Sequence, residues 1–255
     1  MKKCGAITNI SISLLVFLTA PLMFLQSFSI VRHWTALSLV FYGSTWLLRG
    51  KTLYFIICII LSTTCHGVGW IGLLYYPLYK FNFSLKFNVI AIIICLLSGE
   101  VFKGYLLSHI IGTDNYLISK FLRYVQSDES EGGLTKIPYV FLSFNIIFLC
   151  IRRYNENVLF QHFSTIYNVG CCLMFLFSFN TTISLRFSTV FLVYLITIIP
   201  YLLAFIKSHR SKDDYTFYFL FLVAILAVMY FYILSIHNTA LGRSQYLPYQ
   251  LCFFK

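Results

Sequence analysis

Apolar runs of about twenty residues recur between residues 7 and 236 of this 255-residue chain, the length a helix rising 1.5 Å per residue needs to cross the ~30 Å hydrocarbon layer of a bilayer. Only helices or closed barrels satisfy every backbone N–H and C=O in that medium. Barrel strands alternate apolar and polar residues over ~10-residue segments, whereas residues 53–61 and 217–234 are apolar at every position. The expected fold is therefore an all-α, polytopic transmembrane helical bundle. Eight spans are expected, at about 7–30, 34–48, 53–78, 85–102, 137–151, 163–179, 187–206 and 215–236.

Composition agrees with that solvent. Hydrophobic residues make up 59% and charged residues 11% of the chain, against roughly 25% charged in a soluble domain, and the mean hydropathy is +0.81. A net charge of +11 would suggest nucleic acid in a soluble protein. Here Lys and Arg stand in ones, twos and threes between the apolar runs, as the positive-inside rule produces, and form no stripe for a phosphate backbone to follow. Nucleic acid is not an expected partner; the lipid bilayer is. Six of the cysteines (58, 65, 95, 150, 171 and 172) lie in or beside apolar runs and read as small packing residues, and no Cys/His spacing suits a metal. No cofactor motif, phosphate-binding loop or zinc-hydrolase signature occurs. Lys2 and Lys3 before the first run look like a signal-peptide start, but without a small-residue cleavage site an uncleaved first span is expected.

The reading is of one integral membrane domain, residues 1–255, with one substantial polar loop at about 103–136 carrying Asp114, Lys120, Arg123, Asp128, Glu129, Glu131 and Gly132-Gly133. Within it, residues 105–118 are apolar enough for an interfacial or re-entrant segment. Charge bias favours an orientation with Arg32, Lys80, Lys86, Arg152, Arg153, Lys207, Arg210 and Lys212 inside and the 103–136 loop outside.

Ionisable residues at membrane depth are costly unless paired, hydrated or used. His66 lies in the middle of the 53–78 run, where it either bonds a neighbouring helix or does chemistry. Arg32, at the turn between the first two runs, and Arg186, opening the seventh, either snorkel to the interface or clamp a phosphate, for which the guanidinium fork is suited. Glu100 is placed to pair with Lys103.

Several segments together resemble the EpsG family of bacterial polysaccharide-assembly membrane proteins, which groups with the Wzy-type O-antigen polymerases. The similar segments are Val31-Arg32-His33-Trp34-Thr35-Ala36, the basic turn Arg49-Gly50-Lys51, and Cys65-His66-Gly67-Val68 running to Tyr76-Pro77-Leu78-Tyr79. Leu185-Arg186-Phe187-Ser188-Thr189 through Ile199-Pro200-Tyr201, the loop with Tyr124, Glu131 and Gly132-Gly133, and the closing Tyr246-Leu247-Pro248-Tyr249 are similar as well. The resemblance runs from about Phe24 to the carboxyl end. Relatives begin with further spans carrying a Gly-x-Asp and Tyr pattern, which nothing before Arg32 matches, so either a shortened relative or a fragment is expected.

The resemblance implies glycosyl transfer between oligosaccharide units carried on undecaprenyl diphosphate, at the outer face of a bacterial inner membrane, in a multi-pass protein. Arg32 and Arg186 would meet the charge on the departing diphosphate, His66 would serve as base near the acceptor hydroxyl, and Arg123 and Glu131 would contact substrate from the loop. A flippase and a chain-length regulator are the implied protein partners, and no metal is needed. The orientation above sets Arg32 inside and Arg186 outside, so both reach one diphosphate only if the first pair of spans is re-entrant or drawn wrongly. The rivals are a lipid-linked sugar flippase or transporter, and a non-catalytic membrane component of an assembly system.

Overall fold

A computed structural model of the chain describes residues 10–20, 23, 24, 27, 30–81, 83–110, 137–155, 157–209 and 215–228. Among these residues every regular element is a helix and there is no strand, so the all-α expectation holds. One described helix, Val158–Leu176, is long and apolar enough to cross a membrane on its own. The chain forms two compact units, Met1–Trp34 with Leu195–Lys255, and Thr35–Tyr194.

In the first unit, α1 (Ile10–Thr19) packs against α9 (Leu195–His209). Helix α1 ends at Thr19, inside the expected first span 7–30, in which Phe24 and Ser27 are again helical. The sequence explains it: Pro21 has no N–H to donate and disfavours helical geometry at Ala20. Phe17 meets Trp34 edge to face at 6.2 Å. Helix α10 covers Tyr215–Val228.

The second unit begins within α2 (Val31–Leu48), which ends in the turn Arg49-Gly50-Lys51. Gly50 has φ +72°, the left-handed region open to glycine. Helix α3 (Thr52–Cys65) then returns along α2, with the Ser62 hydroxyl donating to the Ala36 carbonyl at 2.9 Å.

The expected third span, 53–78, is not one helix. At His66 the backbone is extended (φ −158°, ψ 135°), and a 3-10 segment (Gly67–Leu74) and α4 (Tyr75–Lys80) follow. These double back along α3. A Cβ on Gly69 would stand 2.8 Å from the Thr63 nitrogen, one on Gly72 would stand 2.8 Å from Ile59 Cδ1, and the Tyr79 hydroxyl donates to the Leu48 carbonyl at 3.3 Å. Three glycines in six residues each cost an α-helix about 1 kcal/mol relative to alanine. Gly69 lets backbone lie against backbone, and Gly72 leaves room for the Val40 and Ile59 side chains.

Four further helices complete this unit: α5 (Leu85–Ile110), α6 (Ile137–Arg152), α7 (Val158–Leu176) and α8 (Thr181–Leu192). Helix α7 is central. Its neighbour α6 runs antiparallel, with Arg152 bonded to Thr165 and the Tyr167 hydroxyl donating to the Phe141 carbonyl at 3.2 Å. Helix α8 is also antiparallel, since Ser184 donates to the Met174 carbonyl at 2.8 Å while Gly170 lies against Leu192. Helix α5 is parallel, with Asn88 beside Asn168 and Gly99 beside Phe175.

Several boundaries differ from expectation for identifiable reasons. Asn157 accepts the Leu159 and Phe160 N–H groups, so α7 starts at Val158 instead of near residue 163. Asn180 accepts the Ile183 N–H and starts α8 ahead of Arg186. The run expected at 187–206 is split between α8 and α9. The fourth run extends to Ile110, so part of the expected 105–118 segment is helical and the rest lies outside the described residues.

Candidate functional site

Contacts within the second unit divide it into two ends. At one, the Tyr79 hydroxyl reaches Leu48, the Tyr79 ring faces His162 at 5.2 Å, and Arg152 donates to the Phe83 carbonyl. Arg49, Lys51, Lys80, Lys86 and Arg153 adjoin these residues in sequence, making this the basic end. At the other end are the His66 turn, Gly99 against Phe175, and an aromatic cluster of Phe102, Phe177 and Phe187 with centroids 5.5 and 5.2 Å apart.

His66 and Arg186 both lie toward this second end. The Tyr75 hydroxyl donates to the Val190 carbonyl, which puts the 3-10 segment and α8 in register. Measured from that contact, His66 lies about 18 Å and Arg186 about 6 Å toward the same end, from 2.0 and 1.5 Å rises per residue. They therefore share an end at an axial separation of about 12 Å. Both side chains are half-buried.

Local geometry decides what the imidazole offers. The Val68 N–H donates to His66 Nδ1 at 3.2 Å, so the neutral ring carries its proton on Nε2. In that tautomer Nε2 is a hydrogen-bond donor.

Arg32 is exposed in the first turn of α2 and belongs to the first unit. A cation there opposes the helix dipole, which favours anions at a helix start. Arg123 and Glu131 lie outside the described residues, as do the side chains of the expected Glu100 and Lys103 pair. Among the described residues no cluster of metal-ligating side chains is present.

Sequence reasoning missed a buried polar ladder. Arg152, only 7% exposed, donates through Nη1 to Thr165 Oγ1 at 2.5 Å and through Nη2 to the Phe83 carbonyl. Asn88 donates to Thr165 Oγ1 at 3.5 Å, and Asn168 donates to Asn88 Oδ1 at 3.2 Å and to the Asn88 carbonyl at 3.1 Å. Asn145 completes the ladder, donating to Asn168 Oδ1 at 2.6 Å. The signal was present, since three asparagines stand in apolar runs where each needs a partner. Near the basic end, Leu48, Tyr75, Tyr79, His162 and Tyr194 line a small pocket with room for about one water molecule. Its three tyrosine hydroxyls donate to Val190, Leu48 and Ser44, so they brace the helices instead of facing a ligand.

No curated protein and no solved structure matches this chain. A family model does, over residues 1–251, beginning well ahead of Phe24 where the resemblance of individual segments starts. On that match the chain belongs to the EpsG family, a family of Wzy-like polymerases.

Proposed function

We propose that this chain polymerises lipid-linked oligosaccharide units, carried on undecaprenyl diphosphate, at the outer face of a bacterial inner membrane that it crosses several times. The observation that carries the reading is the family match over nearly the whole chain. Membrane placement is further supported by large apolar side chains left open on the described helices: Leu97 is 78%, Val101 73% and Leu53 67% exposed. Patches of that kind are disfavoured in water and ordinary against lipid.

In the reaction, an acceptor sugar oxygen bonds to the anomeric carbon of the growing chain as that carbon's bond to the diphosphate breaks, and the hydroxyl proton passes to the departing diphosphate. The chief requirement is positive charge and N–H donors where the diphosphate gains charge. Arg186 and the Nε2–H of His66, at one end of one unit, fit that requirement. Arg32, Arg123 and Glu131 are further candidates.

Deleting the gene and resolving surface polysaccharide on a gel tests this. A polymerase predicts loss of the long-chain ladder with single units retained. Loss of every surface unit would indicate export instead, and an unchanged profile would refute a role in assembly. Complementation with Arg186→Ala, His66→Ala and Arg32→Ala then tests each residue, and full restoration of the ladder removes that residue from the site.

A further inference from the structure

We propose that Thr52–Lys80 is a re-entrant hairpin, which enters the membrane from the basic end of the second unit, turns at His66 within the bilayer, and leaves by the end it entered. The inference rests on the membrane placement proposed above and not on polymerase chemistry.

Length is the first reason. Helix α3 advances only about 21 Å before the chain turns, well short of the ~30 Å hydrocarbon layer, and the returning leg runs back beside it for about 25 Å. The contacts of Gly69 and Gly72 with α3, and of Tyr79 with Leu48, hold the legs antiparallel.

The turn is built for a dry setting, the second reason. Non-helical backbone at membrane depth must satisfy its polar groups internally. The Thr63 and Thr64 hydroxyls donate to the Ile60 and Leu61 carbonyls at 2.6 and 2.7 Å, and the His66 N–H donates to Ser62 at 3.0 Å. The Val68 N–H goes to the His66 ring and the Gly69 N–H to the His66 carbonyl at 3.0 Å. Apart from Thr64, whose hydroxyl is bonded within α3, the outward-facing residues between the two feet are Gly67 and large apolar or aromatic side chains, with Ile60 51%, Trp70 57% and Leu74 45% exposed.

Third, both feet carry interfacial anchors. Arg49 and Lys51 lie over the Trp46 ring at 5.1 and 5.2 Å, and Lys80 lies over Tyr76 at 5.8 Å, the aromatic and basic pairing found at headgroup level. A crossing would put Arg49 and Lys51 on one face and Lys80 and Lys86 on the other. A hairpin gathers all four with Arg152 and Arg153 on a single face, the cytoplasmic one by the positive-inside rule. The end bearing His66 and Arg186 then faces outward.

An impermeant amine-reactive ester, applied to right-side-out and to inverted membrane vesicles bearing the unmodified full chain, tests this by mass-spectrometric readout at Lys51 and Lys80. Both lysines should react together in inverted vesicles and stay unmodified in right-side-out ones. Reaction from opposite faces overturns the hairpin. Single cysteines at Arg49→Cys and Phe81→Cys, probed with an impermeant maleimide, give a second pair with the same two outcomes. Extraction of the chain by alkaline carbonate would overturn the membrane placement itself, whereas opposite-face labelling of a retained chain overturns the hairpin alone and leaves the polymerase reading standing.

Discussion

Replacing Gly69 with alanine should damage the fold, while the same change two residues earlier should not. A Cβ at position 69 would lie 2.8 Å from the Thr63 nitrogen and 2.9 Å from the Ser62 carbonyl carbon, whereas one at Gly67 meets nothing within 4 Å. The Ser62 hydroxyl is in the way too, but the Thr63 and Ser62 backbone cannot rotate aside as a side-chain end can. Overpacking of this kind costs about 1–3 kcal/mol. Moving the 3-10 segment off α3 also disturbs Ser62, whose hydroxyl bond to Ala36 is fully buried and contributes roughly another 1 kcal/mol. The combined loss is about 2–4 kcal/mol, which at ~2–4 °C per kcal/mol for a chain near this size lowers the apparent Tm by on the order of 10 °C. The assay is thermal unfolding of the purified chain in detergent micelles, comparing Gly69→Ala, Gly67→Ala and the unmodified protein at one scan rate. Gly67→Ala should melt within about 2 °C of the unmodified protein, since a surface change of this kind is usually within ±0.5 kcal/mol. Equal melting of the two variants would refute the packing of the returning leg on α3.

Arg152→Lys keeps the charge but loses the fork that reaches Thr165 and Phe83 together; it should cost about 1.5–3 kcal/mol in chemical denaturation, and an unchanged midpoint would exclude the fork as a stabilising element. Asn180→Ala should lose about 1 kcal/mol by removing the cap on Ile183, with Asn180→Ser recovering most of it; equal loss in both variants would dissociate the effect from capping. His66→Gln retains an N–H in place of Nε2–H and should keep part of the polysaccharide ladder that His66→Ala loses, whereas a gel on which glutamine fares no better than alanine would rule out the donor role.

What could be read from the sequence followed composition and single-residue chemistry. The apolar runs predict an all-helical chain, and the run at 137–151 appears as Ile137–Arg152 because its apolar stretch ends at a charged pair. Boundaries set by side-chain caps were less legible. Asn157 and Asn180 each begin a helix among polar or apolar neighbours that looked equally able to do so, and only their hydrogen bonds distinguish them. Of the candidate site, His66 and Arg186 stood out because ionisable groups are rare in apolar runs. Arg152 did not, since an arginine at the end of a run reads as an interfacial anchor until its guanidinium is found bonded inside.

The fold-back at His66 escaped detection for a deeper reason. Hydropathy counts apolar residues and carries no information on direction, so a hairpin of two short legs and one long span give the same signal over residues 53–78. The cues to direction were Gly67, Gly69 and Gly72, but glycines are also common where straight membrane helices pack closely. The difference matters beyond the segment itself. Each crossing reverses the side assigned to everything downstream, so one run miscounted as a crossing reverses Lys80, Arg152 and Arg186 together relative to Arg49 and Lys51. The expected conflict between an inner Arg32 and an outer Arg186 depended on counting that run as a crossing. If the run re-enters as proposed, that premise goes, and the basic residues of the second unit need not be divided between two faces.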